Sequence, residues 1–301
     1  METQIIKLIE KKGPLTGMEI LKSINEDSLL LWRTCKLSKN LTTRSIGYRY
    51  LRLDRRVEGF ARLSPSFLRE FLTYSVIGLA SDLPSLNTRA RELAAHIEKV
   101  SRSKSELAHS LASVLIDRLE IGLSINDRFC FILAGDIVYN MAHDVPRPEK
   151  STGKMINGSD VDMVVVVDDG FPKDLIERLD EEIYSEKQRL LIALHLREEI
   201  DYVVKDLARI REQVRFETFK HMVACKILQE GTFLYGSEEL FHKVKRMLIE
   251  RGVTDRLNAL ERGAKVFRKR AEDYLLSENP KKIKAESLYL FYPTEESEEF
   301  E

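Results

Sequence analysis

The sequence predicts an α+β fold with more than one domain. Three features carry this prediction: short amphipathic helices near the N-terminus, an apolar run at residues 163–167 that is typical of a buried strand, and helical spacing over much of the rest. The chain has 301 residues, of which 43% are hydrophobic, so it can bury sizeable cores and we do not expect global disorder. Its length suggests about two domains of ordinary size.

Composition narrows the class of protein. The formal net charge is −1, which by itself neither favours nor excludes a polyanionic partner. Cys35, Cys130 and Cys225 are far apart and lack metal-ligand spacing, so we expect neither a disulfide framework nor a structural zinc. The N-terminal segment does not have the pattern of a signal peptide, and no apolar run reaches the ~18–20 residues of a membrane span. We therefore expect a cytoplasmic protein with no membrane partner.

Residues 1–63 are predicted to form a first domain. A helix is expected at residues 4–12 and a second one after Thr16, whose hydroxyl and Glu19 have the spacing of a capping box. A third helix is expected at about residues 27–37. Residues 42–53 then alternate aromatic, β-branched and arginine residues, which predicts strands around a turn at Gly47. Three short helices followed by a basic β-ribbon resemble a winged helix-turn-helix.

The same domain is locally basic. Between Arg33 and Arg62 the basic residues are opposed only by Asp54 and Glu58. Such an excess inside a neutral chain predicts contact with DNA or RNA. The alternative is a solvated basic face that pairs with acidic residues elsewhere. The candidate contacts are Arg44, Arg49, Arg52 and Arg55.

The remaining chain divides into three predicted parts. Residues 64–104 are expected to form a helical connector. They begin a longer stretch, residues 64–120, that is predicted to be helical, with helices at about 87–101 and 104–119. Residues 105–207 are expected to form a mixed β-sheet core with helices, and residues 208–301 a C-terminal helical region with an acidic tail. The predicted core elements are strands at 128–134 and at the 163–167 run, a helix at 173–189, and strands at 191–196 and 200–204.

Acidic residues stand at the edge of this predicted sheet. Asp160 and Asp162 are two residues apart at the start of the apolar run, so their side chains should point to the same face of one strand. Asp201 lies within another apolar strand and is a third candidate ligand. Burying such acids unpaired would cost several kcal/mol, and a hard divalent cation with oxygen ligands, Mg²⁺, compensates for this.

These residues resemble the DNA polymerase β-like nucleotidyltransferases. In that superfamily a glycine turn follows a first strand, an Asp-x-Asp pair lies on the next strand and a third acid on a later one; here these are Gly135-Asp136, Asp160-Val161-Asp162 and Asp201. Residues 231–236, Gly-Thr-Phe-Leu-Tyr-Gly, resemble a segment of the minimal nucleotidyltransferases. The resemblance covers about residues 105–245.

The resemblance implies a reaction and its parts. The three aspartates would bind two Mg²⁺ ions, an NTP would be the substrate, and the Gly135 turn would hold its triphosphate with backbone N–H groups. Asp136 departs from the pattern, which has Ser or a second Gly there. Ser159, Lys154, Lys226 and Tyr235 are further candidate nucleotide contacts. The loop at residues 142–158 is either a basic lid over the phosphates or an ordinary surface insertion.

Two functions from different classes follow. The first is an Mg²⁺-dependent nucleotidyltransferase that transfers NMP from an NTP to a hydroxyl of a nucleic acid, a protein or a small molecule and releases pyrophosphate. The alternative is a catalytically silent DNA-binding regulator, or antitoxin-like module, built on the same fold. The NTP, the acceptor and the oligomeric state, a homodimer included, are left open by the sequence.

Overall fold

The computed structural model describes residues 1–119, 127–149, 152–193 and 196–292. It is an α+β protein, as predicted. Its contacts divide the described residues into two compact units, one formed by residues 1–97 and 260–292, and one formed by residues 98–259.

The first unit combines helices with two small sheets. Its elements are α1 (Glu2–Lys12), β1 (Leu15–Thr16), α2 (Gly17–Ile24), α3 (Ser28–Leu37), β2 (Leu41–Ser45), β3 (Tyr50–Leu53), β4 (Ala61–Ser64), α4 (Phe67–Thr73), β5 (Ser75–Leu79) and the beginning of α5 (Leu83–Arg118). The chain returns to this unit in the last part of α10 (Val253–Ser277) and in the short helices α11 (Pro280–Lys282) and α12 (Leu288–Phe291).

The three-stranded sheet of this unit has the order β1-β5-β2, with antiparallel neighbours. Trp32 of α3 lies in its core, with ring centroids 5.5 Å from Phe67 and 5.4 Å from Phe291. The predicted capping box is confirmed: the Glu19 backbone N–H donates to Thr16 Oγ1 at 3.2 Å, and the Thr16 N–H donates to Glu19 Oε2 at 2.7 Å. Local sequence thus fixes where α2 begins.

Glu70 of α4 is the buried acidic centre of the first unit. It accepts hydrogen bonds from Arg49 Nε at 2.9 Å and Nη2 at 2.6 Å, from Arg268 Nη2 at 2.6 Å and from Ser45 Oγ at 2.8 Å. Burial alone would raise the pKa of Glu70, but the hydrogen bond from Arg49 and the charges of Arg268 and Arg49 outweigh it and leave the pKa below its usual value. The carboxylate therefore links α4 to the end of β2 and the residues after it, and to α10.

The second unit is built around one sheet. After the C-terminal part of α5, its elements are β6 (Phe129–Ala134), a 3₁₀ turn (Gly135–Tyr139), β7 (Arg147–Pro148), β8 (Met155–Ile156), β9 (Val161–Val167), α6 (Lys173–Ile192), β10 (Ile200–Asp206), α7 (Leu207–Gln213), α8 (Phe219–Glu230), β11 (Thr232–Gly236), α9 (Glu238–Glu250) and the first part of α10.

The sheet has the order β10-β9-β6-β11, in which β10 and β9 are parallel and the other neighbours are antiparallel. One face, with Phe131, Met163 and Val165, packs against the apolar sides of α5 and α6. Because side chains alternate along a strand, Asp162, Val164 and Val166 point to the opposite face, beside α7 and α8. A mixed sheet with helices was predicted for this region.

Several predicted elements are wrong in extent or type. One continuous helix, α5, replaces the two predicted at 87–101 and 104–119, and β5 interrupts the stretch predicted to be helical from 64 to 120. A strand was predicted at 191–196, but α6 continues to Ile192, and residues 194 and 195 lie outside the described part of the chain. In the region predicted to be helical from residue 208 on, α7 and α8 are separate helices and the strand β11 follows them.

The predicted ribbon around Gly47 is a further correction. β2 and β3 do not pair with each other: β2 pairs with β5, and β3 pairs with β4. The acidic tail at residues 295–301 and Lys150 of the 142–158 loop lie outside the described residues. Within the described part of the chain, no helix combines the length and apolarity needed to cross a membrane.

Candidate functional site

Three aspartates meet at one edge of the second unit's sheet. Asp162 of β9 and Asp201 of β10 are register partners, and Asp160 directly precedes β9. A carboxylate oxygen from each lies within 4.8 Å of the others. Asp162 is buried and the other two are half-buried. The strands thus bring together the three acids that the sequence singled out, in an arrangement that could hold a metal ion.

Gly135 closes this cluster on the β6 side. Ala134, the last residue of β6, is paired with Asp162, so the turn that follows lies beside the Asp162 carboxylate. Gly135 has φ +70°, and a Cβ built on it would lie 1.8 Å from Asp162 Oδ2. Any side chain here would displace the carboxylate as well as strain the backbone, so the position requires glycine.

Asp136 and Ser159 tie the turn to the loop that precedes β9. Ser159 Oγ donates to Asp136 Oδ2 at 3.1 Å and accepts from the His143 N–H at 3.2 Å, while the Ser159 N–H donates to the His143 carbonyl at 2.9 Å. Ser159 is buried. The hydroxyl that the sequence offered as a phosphate contact therefore orders the loop, and Asp136 adds a carboxylate next to the cluster.

Two cations lie against the aspartates. Arg147 Nη2 is 2.7 Å from Glu199 Oε2 and 3.7 Å from Asp160 Oδ2, and its Nε donates to the Gly158 carbonyl at 2.8 Å. Lys187 of α6 donates to Asp201 Oδ1 at 2.8 Å. The cluster therefore contains five carboxyl groups against these two cations. They are Asp136, Asp160, Asp162, Glu199 and Asp201.

Two carboxyl groups of the cluster have pKa values above their usual range. Burial raises the pKa of Asp160, and the carboxylates of Asp201 and Asp136 raise it further against the opposing charge of Arg147. Burial likewise raises the pKa of Glu199, again opposed by Arg147 and assisted by Asp160 and Asp201. Several carboxylates whose oxygens lie close together form a set of ligands that suits a hard divalent cation.

Lys226 of α8 is the basic residue next to the glycine turn. It is 4% exposed and forms an ion pair with Glu230, 2.8 Å from Nζ to Oε2. Glu230 also accepts from the Tyr139 hydroxyl at 2.7 Å and from the Gly135 N–H at 3.4 Å. The structure thus places this predicted contact at the turn, with its ammonium group held by a buried carboxylate.

The chain's comparison with known proteins gives no further identification. No protein family, curated protein or solved structure matches it. The functional reading therefore depends on the residues and their geometry.

Two other predicted contacts are not brought to the cluster. Tyr235 lies on the α5 side of the sheet, with its ring 5.6 Å from His109 and 6.4 Å from Phe131. Lys154 is exposed on the hairpin formed by β7 and β8, where its carbonyl accepts from the Glu149 N–H at 2.7 Å. The 142–158 loop therefore contains a short β-hairpin, and its Arg147 contacts Asp160.

The basic candidates of the first unit differ in their availability. Arg44 and Arg55 are exposed, and Arg44 donates to Asn87 Oδ1 at 2.8 Å. Arg52 is buried, at 9% exposure, and Arg49 is paired with Glu70. Arg44 and Arg49 are thus hydrogen-bonded within the unit, and Arg52 is buried in it.

Sequence reasoning missed Lys187, Glu199 and Glu230. Glu199 directly precedes β10, as Asp160 precedes β9, so the same strand-edge argument could have found it. Lys187 and Glu230 carry no local signal, because each reaches the site from a helix whose position depends on tertiary packing.

Proposed function

We propose that this chain is an Mg²⁺-dependent nucleotidyltransferase that transfers NMP from an NTP to a hydroxyl acceptor. The observation that carries the proposal is the convergence of Asp160, Asp162 and Asp201 within 4.8 Å, beside a turn where Asp162 leaves room only for glycine. Acids from two neighbouring strands and a glycine turn after a third are the parts on which the resemblance to DNA polymerase β-like enzymes was based.

The three aspartates would hold the metal, which supplies neutralisation of the phosphate charge and activation of the acceptor hydroxyl. The backbone of the Gly135 turn and Lys226 would bind the triphosphate in place of Glu230, which accepts from the Gly135 N–H and pairs with Lys226 in this structure. In the transfer the acceptor oxygen attacks the α-phosphorus, the bond from that phosphorus to the bridging oxygen breaks, and pyrophosphate leaves. The proton of the hydroxyl passes to solvent.

The experiment for this activity is label transfer from each α-labelled NTP to separate RNA, protein and small-metabolite fractions in the presence of Mg²⁺. Wild type and Asp180→Asn, a change of an exposed aspartate of α6, are expected to transfer label equally. Asp162→Asn is expected to transfer none. Equal transfer by Asp162→Asn would contradict the assignment of the aspartates.

The first unit supports a nucleic-acid-binding role. Its element order, α1-β1-α2-α3-β2 and later β5, and its sheet order β1-β5-β2 are those expected of a winged helix-turn-helix. Exposed Arg44 and Arg55 are its candidate contacts. Changing both to Ala should weaken DNA or RNA binding and flatten its salt dependence, while Arg178→Ala with Arg246→Ala, two exposed arginines of the second unit, should not. Equal salt slopes for both double variants would reject this surface.

A second candidate function is favoured by one specific observation. Asp160 and Asp201 already have cationic partners in Arg147 and Lys187, and Asp136 places a negative charge at the turn where phosphates would bind. A regulator with the nucleotidyltransferase fold, binding nucleotide or a partner without turnover, would have such a site. NTP binding without label transfer to any of the three fractions would favour this candidate.

A further inference from the structure

A second polar site lies on the same sheet face as the aspartates. It is a cavity of about 280 Å³, small by the standard of ligand pockets, between β10, α7 and the beginning of α8. Its lining includes Val203, which follows Asp201 by two residues on β10 and so points to the same face. The cavity therefore lies along the part of β10 that follows Asp201, and Asp201 is not one of its lining residues.

Lys205 is the buried cation of this cavity. It is 5% exposed, and its ammonium group donates to Gln213 Oε1 at 3.3 Å. Among the described residues it forms no ion pair with a carboxylate. Burial, with the charge of Arg209, lowers the pKa of Lys205 to about 8. At neutral pH this lysine is therefore a buried charge whose hydrogen-bond partner among the described residues is a neutral amide, and a bound anion would compensate that charge.

The other residues that line the cavity also favour an anionic ligand. Arg209 and Lys220 are exposed lining residues and add two positive charges, against the single acidic residue of the described lining, Glu212. His221 lines the cavity as well, and its Nδ1 atom is buried without a hydrogen-bond partner among the described residues. The buried ammonium group of Lys205 and the exposed Arg209 and Lys220 are donors that a ligand with several acceptor oxygens would satisfy.

We propose that this cavity binds the phosphate group of a small phosphorylated molecule, and that this molecule is the acceptor whose hydroxyl is presented at Asp201. The assignment of the acceptor rests on the proposed nucleotidyltransferase function, whereas the anion site does not. The acceptor's phosphate stays unchanged in the reaction: its hydroxyl oxygen forms the new bond to the α-phosphorus of the NTP as pyrophosphate leaves. A small molecule is favoured because the cavity is small and its central cation is buried.

The test is calorimetric titration with inorganic phosphate, with ribose 5-phosphate as a small phosphomonoester, and with a 5′-phosphorylated single-stranded oligonucleotide. Wild type and Lys173→Gln, a change of an exposed lysine of α6, are expected to bind the first two ligands alike. Lys205→Gln, which removes the charge and keeps a polar side chain, is expected to weaken both at least tenfold. Arg209→Gln, a change of an exposed residue, should weaken the binding of both ligands several-fold. This variant tests the anion site if Lys205→Gln does not fold.

The outcomes separate this site from the aspartate cluster. Absence of phosphate and ribose 5-phosphate binding by wild type, or equal binding by the Lys205 and Arg209 variants, would overturn the anion site even if an NTP binds with Mg²⁺. Tighter, Lys205-dependent binding of the oligonucleotide would overturn the small-molecule assignment. Ribose 5-phosphate binding without NTP binding would leave the anion site standing and remove its role for the acceptor.

Discussion

Asp162 of β9 and Asp201 of β10 are directly paired residues of two parallel strands. Their side chains therefore point to the same face, and the backbone hydrogen bonds of the sheet hold the two carboxylates side by side. Sites built on strands are positioned more firmly than sites on loops. The like charges are thus kept together by the fold itself, which is the arrangement a divalent cation requires.

Gly135→Ala should disrupt this arrangement. The new Cβ would meet Asp162 Oδ2 at 1.8 Å, so the carboxylate has to move away from the cluster. We expect loss of Mg²⁺-dependent NTP binding and label transfer, together with the ordinary cost of about 1 kcal/mol for a side chain at positive φ. Calorimetry and urea unfolding measure the two effects.

The matched control is Gly252→Ala. Gly252 also has a positive φ, +67°, but a Cβ there would meet nothing within 4 Å. It should show the same loss of stability with unchanged NTP binding. If Gly135→Ala binds the NTP as tightly as Gly252→Ala does, the close approach of the turn to Asp162 has no role in the site.

Lys187→Gln should strengthen metal binding. Lys187 competes with a cation for Asp201 Oδ1, and both side chains are about a quarter exposed. Ion pairs at such positions contribute about 0.3–1 kcal/mol, which corresponds to an affinity for Mg²⁺ about two- to fivefold higher in the variant. Titration of Mg²⁺ or Mn²⁺ measures it. Weaker metal binding would mean that Lys187 positions Asp201 for the metal instead of competing with it.

Glu70→Gln should destabilise the first unit strongly. The change removes the charge that compensates Arg268, which is 6% exposed, and Arg49. Breaking a buried pair from one side costs about 3–5 kcal/mol, because the remaining charge stays buried. Urea unfolding of this variant should be compared with Glu92→Gln, which removes one side of an exposed pair with Arg89 and should change stability little. Equal effects of the two changes on the free energy of unfolding would show that the buried ion pairs of Glu70 do not stabilise the first unit.

Lys205→Met should stabilise the protein at neutral pH. Lys205 has a pKa of about 8 in the folded chain and 10.5 as a free side chain, so the unfolded chain binds its proton more tightly. The penalty, about 3 kcal/mol, is fully present below pH 8 and disappears as the pH rises from about 8 to 10.5. The groups around this lysine are Arg209, Glu212, Gln213, His221 and Cys225.

Urea unfolding between pH 7 and pH 10 in an anion-free buffer measures this effect. The stability advantage of Lys205→Met over wild type should shrink as the pH rises, whereas Lys173→Met, at an exposed site, should show no such trend. A constant advantage at all pH values, or none at pH 7, would contradict the account of Lys205 as an uncompensated buried charge.

The aspartate cluster could be anticipated because its signal is local. Two acids at i and i+2 before an apolar run fix their common face through strand geometry, and that geometry does not depend on the rest of the chain. The same holds for the cap of α2, where Thr16 and Glu19 interact within one turn. Asp201 could be placed as an acid within an apolar strand, although its pairing with Asp162 required the sheet order.

The errors lie where distant contacts decide the local structure. Two helices were predicted at about 87–101 and 104–119, but in the continuous α5 Ser101 Oγ accepts from the Ala142 N–H and Lys104 donates to the Asn157 carbonyl and pairs with Glu198. These contacts outweigh weak helix propensity. β5 was missed for a similar reason: it is the middle strand between β1 and β2, and pairing with distant segments defines it.

The most direct test of the central claim is calorimetric titration of each NTP, with and without Mg²⁺, into wild type, Asp162→Asn and Asp180→Asn. We predict that wild type and Asp180→Asn bind at least one NTP only when Mg²⁺ is present. Asp162→Asn should lose this binding and keep or raise its melting temperature, because a repulsion between like charges is removed. Binding of no NTP by the folded wild type, or undiminished Mg²⁺-dependent binding by Asp162→Asn, would contradict the assignment of the aspartate cluster as a metal and nucleotide site.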